Sequence, residues 1–360
     1  MNYALIGCGR IAVNHMQAAL DNHFTISAVC DMSPEAMEAL LTRFGLQDDK
    51  SIARYTDYQL MFAEHPEIRL ASIATGSSVH ARLALGCIDA GVNVIVEKPI
   101  ALTMADADEI VRRSEEKGVK VSACQQNRFN LAVQEMRKAL EAGRFGKLSH
   151  GAVSVRWNRD RAYYEQAGWR GTWASDGGCL MNQCLHGVDL LRWMMGDEIE
   201  EVYGSITQRF HDYLQCEDAG FAVVKFKNGA VGTIEGTVNV YPENLEETLY
   251  LFGETGTAKL GGTSANDVDV WRFADETEAD ASVRGLREQT ENVYGNGHAP
   301  LFADMADAIE HDRKPYVDAV AGRNAVELVL AIYQSAATGK SVKLPLGDVK
   351  SADFEGFFAK

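Results

Sequence analysis

The sequence has no cysteine pairs at disulfide or metal-binding spacing. Its seven cysteines stand singly at positions 8, 30, 87, 124, 179, 184 and 216, and no CxxC pair occurs. This pattern favours reduced thiols in a cytosol over a disulfide framework or a zinc site. A cluster of His and Asp with metal-ligand spacing is also lacking, which counts against a metal-dependent hydrolase. We therefore predict a cytoplasmic protein that binds no metal.

Basic charge and long apolar runs are scarce as well. The net charge of −16 supplies no basic face of the kind that nucleic-acid phosphates require. No apolar run approaches transmembrane length, and a strand predicted from Asn2 onward leaves no room for a signal peptide. We expect neither a nucleic-acid partner nor a membrane partner. The 360 residues, 46% of them hydrophobic, are enough for two domains that each bury a core.

The first segment has the pattern of a dinucleotide-binding turn. A short apolar strand, Tyr3–Ile6, runs into a GxGxxA string at Gly7, Gly9 and Ala12, which opens a helix. Asp31 ends the next strand, 22 positions beyond Gly9. In this context the first glycine permits a tight turn, the second lets a pyrophosphate approach, and the acidic residue holds ribose hydroxyls and repels a 2′-phosphate. We therefore predict NAD as the cofactor. The predicted contacts here are Gly7, Gly9, Arg10, Ile11 and Asp31.

Further strands alternate with helices as far as residue 123. They are predicted at 70–74, 92–96 and 119–123, and the alternation indicates a doubly wound parallel sheet. We assign residues 1–123 to an α/β Rossmann domain. Ligands of such sheets bind beyond the carboxyl ends of the strands. Polar residues that follow two of these strands are therefore predicted to contact the cofactor: Thr75, Ser77 and His80 after one, Glu97 and Lys98 after the other.

Lys98 and His80 each have an alternative interpretation. A charged residue directly after the buried run Val94–Val96 is costly unless it serves a site, so we predict that Lys98 also contacts the reacting hydroxyl. The alternative is a lysine at a surface strand end. For His80, one turn into a helix, a structural role at the helix start is equally compatible with the pattern.

From residue 124 the pattern changes to that of an α+β domain. An amphipathic helix leads into a strand near 148–156, and alternating runs then follow one another as far as residue 272. Hairpin-linked strands predict a large, open-faced, mainly antiparallel sheet of about six strands. We assign residues 124–360 to substrate binding and oligomerisation. Oligomerisation is expected because the free face of such a sheet is usually buried against a second subunit. We expect a homodimer or homotetramer.

Three consecutive polar residues open this second domain. Gln126, Asn127 and Arg128 lie just past the last Rossmann strand, at a domain boundary where ligands collect. We predict that Gln126 contacts the cofactor and that Asn127 and Arg128 bind the substrate.

One irregular segment is rich in aromatic rings and arginines. Residues 157–173 hold three of the five tryptophans and three arginines. Rings supply stacking area, and guanidinium groups supply a forked donor matched to phosphate or carboxylate. Because so irregular a segment is not expected in a core, we interpret it as a binding loop for a flat anionic ligand. The alternative is a surface loop that packs against a neighbouring subunit. The predicted ligand contacts are Arg159, Tyr163, Tyr164, Trp169 and Arg170.

A predicted helix follows this loop and carries two polar side chains on one face. Asn182 and His186 are four residues apart, so their side chains point the same way. We predict that both act in catalysis and contact the substrate. The alternative for His186 is an interior histidine whose hydrogen bonds are satisfied.

In their order, these motifs resemble the glucose–fructose oxidoreductase/inositol dehydrogenase superfamily over nearly the whole chain. The resemblance implies a Rossmann domain, an open-faced antiparallel sheet, and oxidation of sugar or cyclitol hydroxyls with NAD or NADP. It also implies that Lys98 and His186 are the family's catalytic lysine and helix histidine. The family usually has an Asp four residues before that histidine, whereas this chain has Asn182. The motifs are the GxGxxA string, Asp31, Ala74-Thr75, Glu97-Lys98-Pro99, Gln126-Asn127-Arg128 and Gly177-Gly178 with His186.

Two segments resemble a narrower group within that superfamily. One runs from Tyr163 to His186, and the other is Val293-Tyr294-Gly295 followed by Gly297-His298. The group comprises 3-dehydrogenases of UDP-N-acetyl-2-amino-2-deoxyglucuronate, which act in the synthesis of bacterial surface polysaccharides, including lipopolysaccharide. This resemblance implies a UDP-sugar uronate as substrate, oxidised at C3, and His298 as a further substrate contact.

The sequence leaves the proton chemistry and the substrate open. Either His186 accepts the hydroxyl proton while Lys98 stabilises the developing alkoxide, or the two residues exchange these roles. The alternative substrates are inositol and other free sugars or polyols. A nonenzymatic NAD-binding regulator is a further alternative, although such a protein has no need for a proton-handling pair.

Overall fold

The computed structural model describes residues 1–196, 198–290 and 294–359. Contacts divide the chain into two compact units. The first comprises Met1–Ala101, Ala105–Cys124 and His298–Arg323, and the second comprises Leu102–Met104, Gln125–Gly297 and Asn324–Lys360. We predicted a single division after residue 123. The observed division differs in that His298–Arg323 also belongs to the first unit. Within the described ranges, no helix is both long and apolar enough to cross a membrane.

The first unit is built on a parallel sheet of six strands. These are β1 (Asn2–Ile6), β2 (Thr25–Cys30), β3 (Ala53–Tyr55), β4 (Leu70–Ile73), β5 (Asn93–Val96) and β6 (Val121–Ala123). Their order is β3-β2-β1-β4-β5-β6, and every neighbouring pair is parallel. Val94, Ile95 and Val96 have no exposed surface, as expected where helices cover both faces of a parallel sheet. The predicted doubly wound Rossmann fold is confirmed.

Five helices connect or follow these strands. They are α1 (Ala12–Asp21), α2 (Pro34–Arg43), α3 (Tyr58–Glu64), α4 (His80–Asp89) and α5 (Met104–Lys117). The start of α2 shows how the sequence directs the chain. The Ser33 side chain accepts a hydrogen bond from the backbone N–H of Ala36, and Pro34 occupies the first helical position, where its missing N–H is not needed.

The second unit is built on a mixed sheet of eight strands. These are β7 (Leu148–Arg156), β8 (Ile199–Thr207), β9 (Ala219–Phe226), β10 (Val231–Thr237), β11 (Glu246–Gly253), β12 (Gly256–Gly261), β13 (Asp267–Phe273) and β14 (Val342–Lys343). Their order is β13-β12-β11-β7-β10-β9-β8-β14, and the pair β7–β10 is parallel while the others are antiparallel. The predicted mainly antiparallel sheet is confirmed. It has more strands than the six or so expected, in part because the two-residue β14 leaves no periodic signal.

Helices cover one face of this sheet, and two further helices precede β14. The helices are α6 (Leu131–Glu141), α7 (Arg161–Glu165), α8 (Cys179–Asn182), α9 (Leu185–Met195), α10 (Asp280–Val283), α11 (His298–Glu310) and α12 (Ala319–Thr338). Helix α9 packs on β7, where a Cβ on Gly151 would lie 2.6 Å from Sδ of Met195. On the opposite face Tyr203, Phe221 and Val223 are exposed.

A buried glutamate supports the turn that leads into α8. Gly177 and Gly178 have φ angles of 81° and 101°, and a Cβ on Gly178 would overlap the carboxylate of Glu217. Glu217 Oε1 accepts hydrogen bonds from Leu180 N at 2.8 Å and from the Tyr333 hydroxyl at 2.6 Å. Burial raises the pKa of Glu217 to about 8, against the lowering effect of these hydrogen bonds. The carboxyl group is therefore neutral at neutral pH.

We predict that Glu217→Gln makes the stability of the protein less dependent on pH. Between about pH 4.5 and 8 the folded chain retains a proton that the unfolded chain has lost, so stability falls as the pH rises through this window. The variant should gain up to about 1.4 kcal/mol in unfolding free energy relative to wild type for each pH unit in that window. Urea unfolding at pH 5, 6.5 and 8 measures this gain. Glu243→Gln, at an exposed position, is the matched control. A gain that is constant with pH would contradict the prediction.

Candidate active site

The glycine turn of the first unit leaves room for a cofactor at one glycine and not at the other. Gly7 has a φ of 93°, and a Cβ there would lie 2.5 Å from the carbonyl oxygen of Ala74. Gly9 is exposed, and a Cβ there would meet no protein atom within 4 Å. Gly7 is therefore required by the fold itself. The open backbone at Gly9 fits the close approach of a pyrophosphate to the following helix, α1.

Asp31 is held at the end of β2 next to this turn. Its Oδ2 accepts a hydrogen bond from Cys8 N at 2.7 Å, and its Oδ1 accepts one from Ser33 N at 2.8 Å. The carboxylate thus bridges the glycine turn and the start of α2, which fits the predicted contact with the adenosine ribose. Arg10 is exposed in the same turn, and Ile11 is half-buried.

We predict that Gly9→Ala weakens NAD binding without lowering stability. Because the added methyl group meets no protein atom, thermal unfolding of the free protein should stay unchanged, whereas it intrudes where the cofactor binds. Titration of nicotinamide cofactor by fluorescence measures the affinity, which should fall at least about tenfold, equivalent to 1.4 kcal/mol.

Gly7→Ala is the matched comparison for this prediction. It combines the positive φ with a clash against Ala74, so it should lower the unfolding temperature itself. Unchanged NAD affinity in a folded Gly9→Ala protein would show that the pyrophosphate does not lie against this glycine.

The predicted residues after β4 are tied to those after β5. His80 is buried, and its ring nitrogens lie 2.7 Å from the carbonyl oxygen of Pro99 and 3.1 Å from that of Thr75. Burial lowers the pKa of His80. Ser77 is buried and Thr75 half-buried. The structure thus gives His80 a positioning task between two strand ends. Contacts of these residues with the cofactor stay a prediction.

The Glu97 carboxylate forms the centre of a buried cluster. Its Oε1 accepts a hydrogen bond from His15 Nε2 at 2.9 Å, and its Oε2 accepts one from Lys98 N at 3.1 Å. His298 Nε2 lies 3.8 Å from Oε1. Burial alone would raise the pKa of Glu97, but the hydrogen bond from His15 and the nearness of both histidines hold it well below its usual range. The anion therefore joins α1 to the segment that carries Lys98, which is itself half-buried.

This cluster includes one residue that sequence reasoning missed and one that it predicted to contact the substrate. His15 has no motif of its own, because its partner is 82 positions away. His298 was predicted to contact the substrate, and the structure places it beside Glu97 in the first unit. With Cys124 these residues offer four potential metal-ligand atoms within 4.8 Å of one another, a grouping that no sequence spacing indicated.

His186 lies at the start of α9 in the second unit, between two amide side chains. Its Nδ1 is 2.7 Å from Gln125 Oε1, and its Nε2 is 3.2 Å from Gln126 Nε2. The side chain is buried, with 5% of its surface exposed. An amide oxygen only accepts hydrogen bonds, so Nδ1 carries the hydrogen and Nε2 is the acceptor. This is the form of histidine that takes up a proton at Nε2.

Asn182 turns toward a carboxylate that the sequence did not associate with it. Its Nδ2 donates to Asp176 Oδ1, and its Oδ1 accepts a hydrogen bond from Gln183 Nε2 at 2.9 Å. The other oxygen of Asp176 accepts from Gly171 N at 2.7 Å. Although Asn182 replaces the Asp usual at this position, a buried carboxylate is therefore bonded directly to it.

Gln183 links Asn182 to the arginine-rich loop. Gln183 Oε1 accepts a hydrogen bond from Arg159 Nε at 2.7 Å, and Gln183 Nε2 lies 2.8 Å from the Tyr163 hydroxyl. The Arg170 guanidinium lies over the Tyr163 ring, 4.1 Å from its centroid. We did not select Gln183 from the sequence. Its position directly after Asn182, within the segment from Tyr163 to His186 that resembles the narrower group, was the available signal.

Two of the tryptophans in this segment belong to the core, so our interpretation of the whole segment as a binding loop was too broad. Trp173 has no exposed surface and packs edge-on against Tyr333, with ring centroids 5.1 Å apart. Trp157 is also buried, whereas Trp169 is half-buried. An irregular backbone did not prevent burial, because α12 and the sheet supply the surrounding surface.

Three other predicted substrate contacts are occupied by protein partners. Arg128 is buried and forms a two-pronged ion pair with Asp189, at 2.6 and 2.7 Å. Asn127 Nδ2 donates to Glu247 Oε2 at 3.4 Å. Tyr164 is buried among aromatic rings. These contacts give all three residues structural tasks, and their contact with a substrate stays a prediction.

Two protein families match consecutive parts of the chain. Residues 1–124 match the oxidoreductase family with an NAD-binding Rossmann fold, and residues 133–259 match the GFO/IDH/MocA C-terminal domain.

Val293, part of the second segment that resembles the narrower group, lies outside the described residues.

Similar proteins include two dehydrogenases of known structure. The WlbA dehydrogenase from Bordetella pertussis, in complex with NADH and UDP-GlcNAcA, is 34% identical with a TM-score of 0.86, over 96% of this chain and 98% of that one. The WlbA protein from Chromobacterium violaceum, in complex with the same two molecules, is 32% identical with a TM-score of 0.86, over 96% of each chain. Myo-inositol 2-dehydrogenase from Thermotoga maritima is 23% identical, over 96% of this chain and 98% of its own length.

Proposed function

This chain belongs to the GFO/IDH/MocA family of oxidoreductases, and from that premise we propose that it oxidises C3 of UDP-N-acetyl-2-amino-2-deoxyglucuronate (UDP-GlcNAcA). It is an NAD-binding sugar or polyol dehydrogenase. The proposal concerns the nucleotide sugar, the reacting carbon and the residues that act there. Its product would serve the synthesis of bacterial surface polysaccharides, including lipopolysaccharide, in the cytoplasm.

The network around Gln183 carries this proposal. It places the Arg159 guanidinium, the Tyr163 hydroxyl and the Asn182 amide in one hydrogen-bonded group on the second unit. Such a set suits a ligand with anionic oxygens and a flat base, because the arginine pairs with phosphate or carboxylate and the ring offers a stacking surface. A small neutral polyol needs neither. Both WlbA relatives bind UDP-GlcNAcA in their crystal structures, which supports the same substrate class here.

Two residues handle the hydroxyl proton in this proposal. NAD accepts the hydride that leaves the carbon, so the oxygen on that carbon must lose its proton as the carbonyl forms. His186, whose Nδ1 is bonded to Gln125 Oε1, takes the proton at Nε2. The Lys98 ammonium stabilises the negative charge that develops on the oxygen. In the alternative assignment Lys98 is the base and His186 orients the sugar.

The first test is nicotinamide reduction by the purified protein given NAD and UDP-GlcNAcA. Inositol and glucose are assayed in parallel. A second assay adds a keto acid as hydride acceptor and measures the hydroxy acid formed, so that tightly held NADH cannot hide turnover. We expect turnover with the UDP-uronate and at least about a hundredfold lower kcat/KM with the free polyols, equivalent to 2.7 kcal/mol of transition-state stabilisation. His186→Asn should lower kcat by about 10² to 10⁴, the range for loss of a general base.

Other outcomes would redirect the assignment. Turnover with a free polyol alone would retain the dehydrogenase and remove the nucleotide sugar, in keeping with the inositol dehydrogenase relative. Tight NAD binding without turnover of any substrate would favour a regulator. Full turnover by His186→Asn would remove this residue from the role of base.

We also propose that the exposed sheet face pairs with a second copy of the chain. Tyr203, Phe221, Val223 and Val231 form an apolar area on β8, β9 and β10, with between 37% and 54% of each side chain exposed. Burial of such a patch stabilises an oligomer, and we predict a homodimer or homotetramer. Light scattering measures its mass. Phe221→Glu should shift the protein toward smaller species, whereas Gln59→Glu, at an exposed position on α3 of the first unit, adds the same charge away from this face and should not. A wild-type protein of monomer mass would contradict the prediction.

A further inference from the structure

We propose that Gln125 is a positioning residue that holds His186 in the tautomer able to accept a proton at Nε2. The inference rests on the proposed function, in which His186 is the base. Gln125 lies directly after Cys124, and 1% of its surface is exposed. It belongs to no motif that we selected from the sequence, and its contact with His186 spans 61 positions.

The hydrogen bonds around the imidazole agree on one tautomer. Gln125 Oε1 lies 2.7 Å from Nδ1 and, as an amide oxygen, accepts the hydrogen there. Gln126 Nε2 lies 3.2 Å from Nε2 and, as an amide nitrogen, donates to it. The bond made by one ring nitrogen decides which nitrogen carries the hydrogen. The shorter contact, to Gln125, therefore leaves the lone pair on Nε2.

A substrate hydroxyl can take the place of Gln126 as the hydrogen-bond donor to Nε2 of His186, whereas the acceptor at Nδ1 stays in place. The other contacts of Gln126 Nε2, to Asn127 Oδ1 and to the carbonyl oxygen of Tyr294, are both 3.4 Å long. Such distances are at the weak end for N–H···O bonds. A substrate hydroxyl can therefore replace Gln126 as the donor to Nε2 without breaking a strong bond. The hydroxyl proton then moves to Nε2 as the hydride leaves for the cofactor.

The amide that faces Nδ1 belongs to Gln125 and not to Asn182, the residue at the position of the usual carboxylate. Asn182 bonds to Asp176 and Gln183, as described above. A neutral amide therefore stands behind the imidazole, where many histidine bases have an Asp or Glu. An amide fixes the tautomer as a carboxylate does, but it adds no charge that would stabilise the imidazolium. The acid side of the pH–rate profile is consequently sensitive to the identity of residue 125.

The charged groups on the elements packed against α9 are mostly paired. Arg128 pairs with Asp189 of α9, and Arg156 of β7 pairs with Glu235 of β10. Glu247 of β11 accepts a hydrogen bond from Asn127, and Cys179 of α8 is a neutral thiol because its hydrogen bond with Cys184 and its burial raise its pKa. A new charge at residue 125 would act on His186 at hydrogen-bond distance.

The test compares kcat/KM for UDP-GlcNAcA from pH 5 to 9.5 in four proteins. These are the wild type, Gln125→Glu, Gln125→Met and, as a matched control for added charge, Gln59→Glu at an exposed position on α3. In Gln125→Glu the carboxylate favours the imidazolium, so the acidic midpoint should move up by about one to three pH units, while the high-pH plateau is kept. In Gln125→Met the midpoint should not rise, and the plateau should fall at least tenfold. Gln59→Glu should match the wild type.

A measurement without substrate separates this inference from the proposed function. Long-range 1H–15N NMR of histidine-labelled protein, with the His186 signals assigned through His186→Asn, reports which ring nitrogen carries the hydrogen. We expect the Nδ1–H form in the wild type and a mixture in Gln125→Met.

Three outcomes have distinct meanings. An Nε2–H tautomer in the wild type, or an unmoved acidic midpoint in a folded, NAD-binding Gln125→Glu protein, would overturn the role of Gln125. If Gln125→Glu fails to fold, Gln125→Met and the NMR measurement still decide whether Gln125 fixes the tautomer of His186. Full activity of His186→Asn would instead remove the role of base that the proposed function gives to His186, whatever its tautomer.

Discussion

The hydrogen bonds of the buried Glu97 carboxylate hold the first unit's binding edge together. One oxygen accepts from His15 on the helix that follows the glycine turn, and the other accepts from the backbone of Lys98. A buried acceptor that loses a hydrogen-bond partner keeps the full cost of its desolvation, so neither contact is readily given up. The Glu97 carboxylate therefore fixes the positions of both the helix that follows the glycine turn and the segment that carries Lys98. Rearranging either of them would disturb the other.

The second unit meets the same constraint, that buried charge must be compensated, in three different ways. Arg128 and Asp189 neutralise each other as an ion pair. Asp176 is compensated by neutral donors, the Asn182 amide and a backbone N–H. Glu217 is compensated by protonation, because its burial raises its pKa to about 8. These buried groups surround α8 and α9 and orient the side chains that we propose to act on the sugar. Two amides lie at hydrogen-bond distance from the ring nitrogens of His186 and orient it.

Local patterns predicted the parts of the site that depend on local physics. The glycine turn, Asp31 and the strand-end residues were identified because a strand, a turn and a helix must follow each other within a few residues to bind a dinucleotide. The predictions failed or stayed incomplete where partners come from distant segments. Trp173 is a core residue because Tyr333 of α12 packs against it. Arg128 is held by Asp189, 61 positions away, a pairing that no local pattern reveals.

The sequence by itself determined the two architectures, the NAD preference and the identity of the lysine and the histidine proposed to handle the proton. Each of these depends on periodicity, or on motifs whose members are close together or in fixed order. Only the tertiary structure decided which amide lies against each nitrogen of His186, that Asn182 turns to Asp176, and that His15 is joined to Glu97. Hydrogen bonds act over about 3 Å of space whatever the distance along the chain. Side chains from remote segments therefore become partners only once the fold has brought them together.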